Sequence, residues 1–208
     1  MLDLQQTFWH LFSLDQIPFW LKVSFTLLVA LIVPVYWVQY GPVNFLWFSD
    51  IALLLTVPAL WLESALLASM MALAVGLLEA AWIIDFLGRA ITGTSIIGLS
   101  SYMFDPKIAL PIRALSLFHF ALPLVLIWMV YRLGYDSRAL ITQTLLAWII
   151  LPLSYLLSPP SENINWVYGF GDQPQQWMPA SIYLAALMVL FLAAIYLPSH
   201  FLLKALFG

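Results

Sequence analysis

Among the ionisable side chains in or beside long apolar runs of this sequence are Asp50, Glu79, Asp85, Arg89, Arg113 and His119. An ionisable group within lipid costs about 2.5–3.5 kcal/mol on insertion scales, so those that occur mark proton relays, substrate pathways or paired networks. A histidine beside a carboxylate moves protons near neutral pH. Ser49, Asp50 and His119 would supply a nucleophile, an orienting acid and a base if folding brought them together. Glu79 would extend the relay, and Arg89 or Arg113 would hold a phosphate head group. The competing reading makes these groups glue between helices, with Asp85 paired to Arg89 at i,i+4 or to Arg113. Glu79 and Asp85 lie about 120° apart around a helix and must face different neighbours.

The elements that position these groups follow from composition. The chain has 208 residues, 64% of them hydrophobic and 8% charged, with a mean hydropathy of +0.99. Soluble domains are nearer half apolar and a quarter charged, so most of this surface must face lipid. Six runs are long enough to span a bilayer as helices, near residues 18–39, 43–62, 65–88, 111–133, 139–157 and 179–206. The alternation of a membrane β-barrel is absent. The expected fold is therefore all-α, a polytopic membrane domain over residues 17–208. Residues 1–16 read as an interfacial amphipathic helix.

Two connections are long. Residues 89–110 are too apolar for a free loop and read as a re-entrant or interfacial segment. Residues 158–178 carry Pro, Gly and Asn, which exclude a span, and read as a polar loop. Counting spans puts Asp50, Glu79, Asp85, Arg89, Arg113 and His119 in one half of the bilayer, with Asn163 and Asn165 on that side as a shared polar pocket. Four basic residues against three favour both termini in the cytoplasm. VYWVQYG before one span and WMVYRLG before another suggest an internal, inverted repeat, in which Asp50 and Thr144 each precede a proline by eight residues.

Other chemistries are excluded by what is missing. The net charge is −3 with 7 Lys and Arg, which leaves no basic patch for nucleic acid. There are no cysteines, hence no thiolate metal site and no Fe–S cluster. His119 stands apart from His10 and His200, which lie toward the opposite face, so a bis-histidine haem or a His-rich zinc site lacks ligands, and no lysine in mid-span offers a retinal Schiff base. No metal, haem, Fe–S or retinal site is expected, and any other cofactor stays open.

NFLWFSDIALLL, LFHFALPLVLIW and ENINWVYGF together resemble three landmarks of the YwaF-type bacterial membrane proteins and their animal relatives, which are membrane acyltransferases. That family carries a cysteine–acid pair early in one span, a histidine in a later span and an Asn-x-Asn-aromatic stretch before the last span. The matching positions are Ser49-Asp50, His119 and Asn163-Ile164-Asn165-Trp166, about 30 residues of the chain. Cysteine is replaced by Ser49, a weaker unassisted nucleophile, and the family has more than six spans. The chain also resembles bacterial polytopic membrane proteins with the same WFSDIALL and YMFDP stretches, which implies a bacterial inner membrane.

Three functions are compatible with this reading. The first expectation is a non-catalytic subunit or assembly component of a larger membrane complex, with lipids and membrane-protein subunits as partners. The second is a lipid-acting enzyme for acyl or head-group transfer or hydrolysis. The third is a small-solute or proton-coupled carrier.

Overall fold

A computed structural model describes residues 16–170 and 173–208. The expected interfacial helix at residues 1–16 lies almost wholly outside the described residues. All regular structure among the described residues is helical: α1 (Phe19–Tyr40), α2 (Phe48–Trp61), α3 (Ala65–Thr92), α4 (Leu110–Leu133), α5 (Ala139–Leu157) and α6 (Ala180–Phe207). The protein is thus an all-α, polytopic membrane protein. Five of the helices are long and apolar enough to cross a bilayer, and α2 is a shorter apolar helix.

The difference at α2 has a local cause. The apolar run begins at residue 43, but Gly41 and Pro42 break the chain there. Pro42–Leu46 forms a 3-10 turn and Trp47 is extended, so the α-helix starts only at Phe48. Its 14 residues rise about 21 Å at 1.5 Å each, short of the roughly 30 Å hydrocarbon layer. The shortfall leaves room at one end of the bundle.

Helix α3 is the central post. Half of its most apolar stretch is buried within the protein, against 22–39% for the other long helices, and it packs against α2, α4 and α5. Small residues on that buried surface, Ala68, Ser69, Ala72 and Ala74, let neighbours approach closely. Helix α4 is interrupted at Ser116 and Leu117 before continuing from Phe118. Helix α6 widens into a π turn over Phe191–Tyr196 just ahead of Pro198. A wider turn there absorbs the proline, which lacks an N–H and crowds the preceding turn.

The first helices of the two suspected repeat halves end alike. Gly41 closes α1 at φ 79, ψ 172 and Gly134 closes α4 at φ 81, ψ 156, a backbone region essentially restricted to glycine.

At the end of the bundle where α1 begins, an ion pair ties the chain together. Lys22 Nζ lies 2.9 Å from Glu63 Oε1, and the amides of Gln16 and Ile17 donate to the same carboxylate. Burial alone would raise the Glu63 pKa. The bond from Lys22 and those from the Ile17 and Gln16 amides outweigh it and hold Glu63 below the usual carboxylate range. Nearby, Tyr135 shares a 2.7 Å hydrogen bond with His200, and the Asp136 amide donates to Ser69.

Candidate functional site

The opposite end of the bundle holds a cavity of about 1070 Å³. Its walls come from the last turns of α1, the first turn of α2, the second half of α3, the start of α4, and the two long connections. Ser49, Asp50, Glu79, His119, Asn163 and Asn165, all singled out from sequence, line it. Asp85, Arg89 and Arg113 do not.

Glu79 and His119 are in direct contact. His119 Nδ1 lies 2.7 Å from Glu79 Oε2, and Glu79 is buried at 2% exposure. With Glu79 as a carboxylate and His119 neutral, the imidazole donates through Nδ1–H and its Nε2 keeps the lone pair. Trp82 stacks on the imidazole at 4.5 Å between centroids, and Phe118 lies against it at 4.2 Å. Two rings and one carboxylate therefore fix the orientation of the base. The acid that touches His119 is Glu79, one buried turn from Trp82 on α3, where the sequence reading had put Asp50 in the orienting role.

Asp50 occupies the first turn of α2, where a carboxylate interacts favourably with the helix dipole. Asn44 Nδ2 donates to its Oδ2 at a long 3.3 Å. Its Oδ1 is buried with no partner among the described residues. Ser49, one residue earlier, lines the same cavity.

Asp85 is a different kind of carboxylate. Its Oδ1 accepts the amides of Ile96, Ile97 and Gly98 at 3.0, 2.7 and 3.0 Å, and the Ser95 hydroxyl donates at 3.4 Å. Its Oδ2 accepts the Ser100 amide and hydroxyl at 2.9 and 2.7 Å. The pairing expected with Arg89 or Arg113 does not form. Arg89 sits over the Phe104 ring at 4.9 Å, and Arg113 donates to the Met103 carbonyl. Side-chain spacing along a helix cannot anticipate a ring of backbone donors folding back over it. Gly88, with no side chain, lets Ile96 close against α3. Residues 95–102 become a wall of the cavity.

The Asn-x-Asn-Trp stretch builds the opposite wall. Asn165 Oδ1 accepts the Phe48 amide at 3.1 Å, while its Nδ2 donates to the Leu46 carbonyl and the Ser154 hydroxyl. Helix α2 has no cap of its own. Asn165 satisfies one of its free N–H groups from 117 residues away. Asn163 binds the Gly169 carbonyl and the Tyr168 amide. Asn163, Asn165 and Trp166 all have positive φ, at 43°, 53° and 59°. Asparagine tolerates that region, whereas a bulky ring does so at a cost of order 1–3 kcal/mol. Asn165 thus positions Ser49 and Asp50 by fixing the start of α2, and Asn163 braces the loop that carries it.

Sequence reasoning missed Trp82, which orients His119, and Tyr36, whose hydroxyl pairs with Ser116 at 2.7 Å. Trp82 lies three residues after Glu79 and so shares its helix face, a signal available in the spacing. No group of three potential ligands stands in a metal-binding arrangement among the described residues. No protein-family model, curated protein or solved structure matches this chain.

Proposed function

We propose that this membrane protein is an enzyme acting on an amphiphilic, lipid-like substrate by acid–base chemistry, with acyl or head-group transfer or hydrolysis as the reaction class. The observation that carries this reading is the Glu79–His119 pair at 2.7 Å in the wall of a large cavity. A carboxylate that binds Nδ1–H leaves Nε2 as the base and stabilises the imidazolium formed when it accepts a proton. The proton comes from a hydroxyl in the cavity, either Ser49 or a water. His119 then returns it to the leaving group. The short α2 places this machinery within the protein, and the aromatic walls suit an alkyl-bearing substrate.

The test is direct. The purified protein in nanodiscs of total membrane lipid extract should change the lipid pool over time, read by mass spectrometry. A lipid pool that stays constant across lipid classes contradicts the proposal. Ser49→Ala separates the two nucleophiles, since a water-based reaction survives it.

One observation favours a second reading, a small-solute carrier. The matched glycine ends of α1 and α4 fit the inverted repeats of transporters. Proton-linked uptake into liposomes, lost in Glu79→Gln, is its test. The subunit expected from sequence has no comparable support. Exposed apolar side chains are spread over all five long helices, as lipid contact distributes them.

A further inference from the structure

The cavity's charge narrows what it can hold. Asp50, Glu79 and Glu162 line it, and among the described residues no lysine or arginine does. The one basic side chain among the described lining residues, His119, is already engaged by Glu79. Arg89 and Arg113, the cations expected to hold a phosphate, are bound to Phe104 and Met103 outside the lining. An anionic head group therefore has no counter-charge here.

The same cavity presents Tyr40, Trp47, Tyr102 and Trp166, whose ring faces attract cations. Asp50 adds an acceptor with unmet demand. It is 4% exposed and its Oδ1 has no hydrogen-bond partner among the described residues. A buried acceptor is ordinarily satisfied, and its vacancy calls for a donor from outside the chain.

We infer that the cavity binds an ammonium-bearing amphiphile, with an N–H of the ammonium group donating to Asp50 Oδ1 and the aromatic rings surrounding the cation. The inference deepens the enzymatic reading by naming the class of substrate, and it rests on that reading only for the ligand's being a substrate. The ammonium group belongs either to a membrane lipid or to a free amine, and chain length separates the two.

The experiment is calorimetric titration of the protein in phosphatidylcholine nanodiscs, a lipid with no N–H to compete. The probes are decylammonium, decyltrimethylammonium, decanol and ethanolammonium. Decylammonium should bind tightest, decyltrimethylammonium less tightly and decanol least. Ethanolammonium binding as well as decylammonium identifies a free amine, and much weaker binding identifies a lipid amine. Asp50→Asn should weaken decylammonium about 10- to 100-fold, the range for a hydrogen bond to a charged group, and leave decanol unchanged. Glu162→Gln alters an exposed residue at no risk to the fold. It should weaken decylammonium about two- to threefold at low salt, an effect that salt removes.

Decylammonium binding no tighter than decanol, or affinity unchanged in both variants, overturns the inference. Cation binding that persists in His119→Ala, with no lipid turnover by the wild type, removes the enzymatic reading and keeps the site. Lipid turnover without cation binding does the reverse.

Discussion

Two aspartates at the same end of the bundle show how differently one residue type is used. Asp85 is saturated, with four backbone amides and two hydroxyls converging on its two oxygens. Asp50 receives one long bond from Asn44 and has an oxygen with no partner among the described residues. Asp85 holds a wall in place, and Asp50 faces the space which that wall encloses. A buried carboxyl group with both oxygens partnered is structure. One with an oxygen left over, beside a cavity, is poised for a ligand. The contrast extends to the far end, where Glu63 is matched by Lys22 and two amides. The exceptions there are neutral atoms, Gln143 Oε1 and Ser199 Oγ.

The contrast can be broken most forcefully at Asp85. Asp85→Ala strands the buried amide and hydroxyl of Ser100 and three part-buried amides, and should cost about 3 kcal/mol. Thermal unfolding measures the loss, and hydrogen exchange should show faster exchange at the amides of Ile96, Ile97, Gly98 and Ser100. A variant as stable as wild type would remove Asp85 from its structural role. Asn165→Ala uncaps α2 and should cost about 2 kcal/mol, read by the same melt. Lipid conversion should fall alongside, because Ser49 and Asp50 lose their placement.

Acid provides a smaller and reversible probe. Glu63 is held below its ordinary pKa in the folded protein, so it binds fewer protons than in the unfolded chain. Its contribution is fully present above its ordinary value of 4.5 and is lost as pH falls below that, through the depressed folded value. Removing it in Glu63→Gln should flatten stability against pH in that window, and a profile parallel to wild type would refute the linkage. Asp50→Asn should have the least effect on stability, within about 1 kcal/mol of wild type or above it, because unsatisfied functional groups are held at the expense of stability. A loss as large as that of Asp85→Ala would erase the distinction between the two aspartates.

Most of the fold was legible because lipid imposes a length and composition on each span. The sequence boundaries of α4, at 111–133, and of α6, at 179–206, lie within a residue of those observed. The start of α2 was not legible from hydropathy, which counts Val43, Phe45 and Leu46 as span although Gly41-Pro42 bends the backbone. The gathering of Asp50, Glu79 and His119 at one end followed from span parity. Their partners did not, because parity sets depth and leaves rotation free. The role of Asp85 was hidden most deeply. Its partners are backbone amides, which every sequence has and no spacing reveals.

The most direct test of the account compares lipid conversion by wild type, His119→Ala and Glu79→Gln in nanodiscs, with folding checked by thermal melt. The account predicts that both variants fold, that His119→Ala loses about 10²–10⁴-fold in rate as expected for a general base, and that Glu79→Gln loses a substantial part of it. Conversion at the wild-type rate by folded His119→Ala would contradict it.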